Sequence, residues 1–216
     1  MPSQTFLNLS PEKQERILTA AVKEFGQRNV QEANLSNIVA DAGISRGSLY
    51  QYFPNKEDMY VFVFDTLRAR RSEKVRPAFA LYKKAPFIEF FEDFYLRDSE
   101  YLLQHPTHIE LGKQLYGHSK GVSYGLIIQL QTRYKELFLV AIEFDKERGL
   151  IDQKIDTSAL ADLCVHLVTD VFIFQSIANR LSMQNIRDHV KKTLYIIQRG
   201  ILPQAPENPD SPDGQQ

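Results

Sequence analysis

The run Ser45-Arg46-Gly47-Ser48-Leu49-Tyr50-Gln51-Tyr52 places a guanidinium, two hydroxyls, two phenols and a carboxamide within two helical turns. Groups of these types hold phosphates and read base edges, and the first turn carries no bulky apolar side chain that needs burial. Lys56 follows the cap residue Asn55 at the start of another helix, where a cation opposes the macrodipole unless a phosphate lies in front of it. Other chemistries find less support. His105, His108 and Glu110 are close in sequence, but Pro106 breaks the spacing that would converge them on a metal, so no metal site is expected. Ser119, Ser123 and Cys164 sit in no nucleophile-elbow pattern and beside no recognisable base. No catalytic residue, cofactor or enzymatic activity is expected.

The elements that must position the first group are readable around it. Asn34 caps a helix whose apolar positions are Leu35, Ile38, Val39 and Ala42; Gly43 ends it, Ile44 turns inward and Ser45 caps the next helix. This is helix, tight turn, helix, a motif whose second helix enters the DNA major groove. Upstream, Ser10 and Pro11 start a helix with the stripe Ile17, Leu18, Ala21, Val22 and Phe25, which packs on the other two and ends near Arg28, with left-handed geometry expected at Asn29.

The segments Ile38 to Gly43, Ile44 to Tyr50 and Tyr52 to Asp58 resemble the DNA-binding domain of the TetR family of bacterial transcriptional regulators. The resemblance is close from Ile17 to Leu67, roughly a quarter of the chain; beyond it, length and helical character alone agree. It implies base contacts from Arg46, Ser48 and Gln51 and phosphate contacts from Tyr50, Tyr52 and Lys56. Asn34, Ser36, Ser45 and Gly47 complete the expected DNA face. Asn29 stands where the family usually has Gly, Asn34 where it often has Thr, and Ser36 where a longer polar residue is common. The last departure leaves the first helix of the motif fewer possible contacts. The resemblance further implies a homodimer on an inverted-repeat operator, a small-molecule effector, and repression as the default mode, with activation open. The competing reading is a helical ligand-binding or scaffold protein without an operator.

Composition agrees with a DNA reader of limited patch size. A net charge of −1 excludes a histone-like binder, whose affinity scales with the cations it presents. The 43% hydrophobic content of 216 residues supplies a core without staples, and a single cysteine, Cys164, excludes an intrachain disulfide. With no apolar run long enough to span a bilayer and no signal-peptide pattern at the start, a cytoplasmic protein without membrane contact is expected.

No alternating strand pattern or internal repeat appears, so the fold class is all-α: a three-helix DNA-binding domain over 1–54, a helical effector-binding and dimerisation domain over 55–202, and a disordered, proline-rich tail over 203–216. Arg68, Arg70 and Arg71 read as a solvated face. An aromatic-rich helix from Phe87 leads to a loop over Gly117–Gly125 and a long helix from about Leu126 to Arg148. Phe90, Phe94, Tyr95, Tyr116, Tyr124, Phe138 and Phe172 are the candidate lining of an apolar or amphipathic effector pocket, the reading the resemblance favours over plain core. Two amphipathic helices end the pattern, and their seams, Leu160, Leu163, Leu167, Val171 and Phe174, then Val190, Leu194, Ile197 and Ile201, are the expected dimer interface.

Overall fold

A computed structural model describes the backbone of residues 1–177 and 182–201, and the side chains of these except 170–177. The expectations on Val171, Phe172, Phe174 and the 203–216 tail therefore lie outside the described residues.

The described residues are helical, with no strand among them: α1 Gln4–Leu7, α2 Pro11–Gln27, α3 Leu35–Ala42, α4 Arg46–Tyr52, α5 Lys56–Val75, α6 Phe87–Gln104, α7 Pro106–Gly117, α8 Val122–Glu147, α9 Thr157–Ile177 and α10 Met183–Ile201, with a 3-10 turn over Arg76–Ala80. The caps fall where the sequence puts them. Ser10, Asn34, Ser45 and Asn55 each accept a hydrogen bond from a first-turn amide, and Gly43 closes α3 in left-handed geometry at φ 61°. Past the end of α2 the Asn29 side-chain oxygen accepts from the amides of Gln31 and Glu32, while Arg28 leaves the helix extended. α8 starts at Val122, so the loop expected over Gly117–Gly125 shrinks to the few residues between α7 and α8.

Two apolar clusters organise the chain. The first joins α1 to α4 with Met59, Tyr60, Val63 and Leu67 of α5, and extends to Leu111 and Leu115 of α7 and Leu126 and Ile127 of α8. The second is formed by α6, α8, α9 and α10. In it Phe94 and Phe138 meet edge to face at 5.6 Å, and Phe91 and Phe138 at 5.2 Å. The N-terminus of α6, which has no side-chain cap of its own, is held by Asp145 of α8, whose Oδ2 accepts from the Phe87 amide at 2.6 Å.

The C-terminal seam is inside the chain. Val190, Leu194, Ile197 and Ile201 are buried in the second cluster along with Leu160, and Leu167 packs against its edge. Each such burial is worth about 1.5 to 3 kcal/mol whichever chain supplies the partner, so periodicity alone could not separate core from interface. Of the expected interface residues with described side chains, Leu163 alone is well exposed, at 46%. α10 instead turns Tyr195 (56%) and Ile196 (72%) outward.

Candidate DNA-reading face and effector cavity

α4 is held from behind. Leu49 and Tyr52 are buried, and the backbone of the helix's last turn is tied to the N-terminal segment: Ser3 Oγ donates to the Gln51 carbonyl at 2.7 Å and the Ser3 amide to the Tyr52 carbonyl at 2.9 Å. Phe6 of α1, fully buried, meets Tyr52 and Phe62 edge-on and Phe53 at a tilt. The sequence gives little signal for this brace, since a four-residue helix with one buried residue has no periodicity. Behind α3 a second device went unread. Glu24 of α2, 4% exposed, accepts from the Asn34 amide at 2.7 Å, from Asn37 Nδ2 at 2.9 Å and from Arg28. Burial alone would raise its pKa, but these donors outweigh burial and keep it lowered, so the carboxylate stays charged and pins the start of α3.

Arg46, Gly47, Tyr50 and Gln51 face outward. The Arg46 guanidinium lies over the Tyr50 ring at 6.0 Å. Ser45 accepts from the Ser48 amide at 3.0 Å and its hydroxyl is 2.8 Å from that of Ser48, so both serines serve the cap while remaining at the surface. A Cβ on Gly47 would meet nothing nearer than Ser45 Oγ at 3.9 Å, so no neighbour in the chain requires a glycine here. Arg46, Tyr50 and Lys56 border a shallow hollow with Asn34 and Asn55, and Ser36 is exposed nearby on α3.

Two members of the expected DNA face need correction. Tyr52 is 4% exposed and packs in the first cluster; it positions α4 and presents no face to a duplex. Lys56 Nζ donates to the carbonyls of Gln31 at 2.6 Å and Ala33 at 3.2 Å. Those carbonyls account for a cation at the head of α5 without a phosphate, although Lys56 remains partly exposed at the hollow's edge.

The aromatic pocket expected from the sequence is solid core. Phe90, Phe94, Tyr95 and Phe138 are filled against one another, and Tyr124 is 57% exposed. A cavity of about 550 Å³ lies instead where the two clusters meet, enclosed by α5, α6, α7 and α8. Tyr116 is the one expected lining residue with a described side chain that borders it. Its apolar wall includes Phe64, Leu67, Leu111, Leu115, Leu126 and Leu130, and its polar wall includes Arg68, Arg71, Tyr101, His108, Arg133 and Tyr134. The volume suits a small-molecule site, as does a largely apolar lining with few polar groups.

The basic run on α5 is a solvated face only in part: Arg68 and Arg70 keep exposed ion pairs, while Arg71 turns inward. Arg70 bonds Glu15 of α2, and Arg68 pairs with Asp65 at 2.9 Å. Arg71 makes a two-point ion pair with Asp98 of α6 through Nε and Nη2, with Asp98 4% and Arg71 21% exposed. Burial disfavours the Arg71 charge, but the Asp98 carboxylate outweighs it and raises the pKa, so the pair is ionised. His108 stacks on His105 at 4.9 Å; burial, His105 and the guanidinium groups of Arg70 and Arg71 push it down to about 4, making it a neutral imidazole near pH 7.

α7 joins the cavity to the reader. One side of it offers His108, Leu111, Gly112, Leu115 and Tyr116 to the cavity. The other meets α2 at Gly26, where a Cβ would come within 3.4 Å of Glu110 Cβ and 3.5 Å of the Leu111 amide nitrogen. At this point α7 and α2 pack backbone against backbone, with no side chain on Gly26 between them.

Residues 17–61 match the model of the family described as "Bacterial regulatory proteins, tetR family". The chain is 29% identical over 76 residues to the uncharacterized HTH-type transcriptional regulator YvdT of Bacillus subtilis, a match covering 35% of this chain and 37% of that relative's length. The fold is similar to the crystal structure of a TetR family transcriptional regulator from Chloroflexus aurantiacus, with TM-score 0.71 at 17% identity over 94% of this chain and 100% of the other. It is also similar to the fatty acid degradation regulator FadR from Bacillus halodurans, with TM-score 0.71 at 21% identity over 86% and 98%.

Proposed function

The chain belongs to the TetR family of bacterial regulators, and from that premise we propose that it is a homodimeric repressor, released from an inverted-repeat operator when a small amphipathic molecule enters the α5–α8 cavity. The observation that carries the reading is the double role of α7, which lines the cavity on one side and abuts α2 of the reader at Gly26 on the other. Two α4 helices of a dimer must enter major grooves about 34 to 36 Å apart, so a ligand that favours another separation lowers operator affinity by the difference in its own affinity for the two states.

Within this reading Arg46, Ser48 and Gln51 read bases and Tyr50 holds phosphate, with Asn34, Ser36, Ser45 and Gly47 at the margins. The reader spans residues 1–54, although its apolar core borrows the first half of α5. The dimer forms through the outward faces of α9 and α10, with Leu163, Tyr195 and Ile196 in place of the buried seam. Among the described residues no helix is long and apolar enough to cross a membrane, and the proposed setting is the cytoplasm.

The test is binding of the purified protein to inverted repeats upstream of its coding region, followed across salt concentration. Arg46→Ala should change the preference among operator variants, whereas Tyr50→Phe should weaken all of them alike and leave the ranking intact. A protein that binds no such repeat in a salt-sensitive way would leave the scaffold reading in its place.

A further inference from the structure

Two polar atoms in the cavity wall are buried without a hydrogen-bond partner among the described residues: the hydroxyl of Tyr101 and Nδ1 of His108. Tyr101 is 7% exposed, and its ring lies 5.6 Å from that of His108, so the two side chains share one corner of the cavity wall. Arg71 borders the same cavity and brings a third group, because its pair with Asp98 uses Nε and Nη2 and leaves Nη1 outside it. A buried polar atom left unpaired costs about 1 to 3 kcal/mol, which a bound group that bonds it recovers.

We propose that the ligand of this cavity is an amphipathic monocarboxylate, its acid head bonded by Arg71, Tyr101 and His108 and its apolar body laid against Phe64, Leu111, Leu115 and Leu126. The proposal rests on reading the cavity as the effector site and names the class of effector. All three polar groups can donate, and the guanidinium can do nothing else, which matches a head that only accepts. An ammonium head would face Arg71 and Arg133; of the lining carboxylates Asp65 is committed to Arg68, so the cations Arg68, Arg71 and Arg133 outnumber the acids Asp65 and Glu136. Burial is the first cause of the depressed basicity of His108, and His105, Arg70 and Arg71 add a positive local field against Glu15. Side-chain rotamer changes at Tyr101 and His108, of a kind common on ligand binding, are required to turn the hydroxyl and Nδ1 toward the head group.

The experiment uses the full chain without DNA and measures binding of octanoate, dodecanoate and hexadecanoate beside 1-dodecanol, methyl dodecanoate and dodecylamine by calorimetry. Dodecanoate should bind at least about tenfold more tightly than the alcohol or the ester, the order of one hydrogen bond to a charged group, and the amine should bind weakest. Tyr101→Phe and His108→Gln, each checked for a retained cooperative melt, should shrink that preference by weakening the acid more than the alcohol. Equal affinities for acid and alcohol, a preference for the amine, no binding by any acid of the series, or full preference retained in both variants would overturn the proposal. Acid-selective binding that leaves operator affinity unchanged would support the ligand class and sink the operator-release reading. Operator release by another class of molecule, lost on filling the cavity with Gly112→Phe, would do the reverse.

Discussion

Replacing Asp98 by Ala should be among the most damaging single changes in the C-terminal half, although the residue touches neither the reading face nor the aromatic core. Asp98 is buried and accepts from two nitrogens of Arg71, so its removal strands a guanidinium that α5 and α6 largely enclose. Breaking a buried pair from one side costs about 3 to 5 kcal/mol, chiefly the penalty of the charge left behind. Arg71 keeps 21% exposure and borders the cavity, so water reaches it in part and the lower end, about 3 kcal/mol, applies. For a chain of this length that lowers the melting temperature by about 6 to 12 °C. Urea denaturation and thermal melts of Asp98→Ala measure it, with Arg71→Met/Asp98→Leu as the control. The double variant removes both charges and fills the space, so it should recover most of the loss. A loss below about 1 kcal/mol in the single variant, or a double variant no more stable than the single, would refute the view that an unpaired buried charge is the cost.

Three further outcomes follow from the same contacts. His108 has a folded pKa depressed from 6.5 to about 4, so its neutral form favours the fold; that contribution is complete above about pH 6.5 and is lost as pH falls toward 4. In His108→Gln the acid limb of a stability profile between those values should flatten, and a limb of unchanged slope would assign it to carboxylates instead. Ile196→Glu with Leu163→Glu should sediment as a folded monomer with weakened operator binding, whereas Leu194→Glu with Ile197→Glu should unfold, because the first pair is exposed and the second is core. A folded monomer from the second pair would return the buried seam to the interface. Phe6→Ala should cost about 3 to 5 kcal/mol and lower operator affinity, since α4 loses its brace; wild-type operator binding would show that α4 holds itself.

The reader was legible because its information is local. Caps at Ser10, Asn34, Ser45 and Asn55 and the turn at Gly43 depend on a few neighbouring residues, and each behaves as its type requires. What failed there involved partners far away in sequence. Lys56 looked like a phosphate ligand until Gln31 and Ala33 supplied its acceptors, and Tyr52 looked exposed until Phe6 covered it. The basic run of α5 reads as solvated because Glu15 and Asp98, which claim Arg70 and Arg71, lie 55 and 27 positions away.

The sequence by itself determined the all-α class, the order and punctuation of the helices, and the motif that matches the family model over residues 17–61, since hydrophobic period and capping chemistry act over a turn or two. Tertiary structure alone decided which apolar surfaces are core and where space remains. Phe90, Phe94, Tyr95 and Phe138 have the composition of a pocket wall, yet edge-to-face packing closes the gaps between them. The cavity opens among mixed residues of α5 to α8 because the two clusters do not meet flush there. Volume between helices depends on how four separate surfaces fit together, and no one-dimensional pattern records that fit.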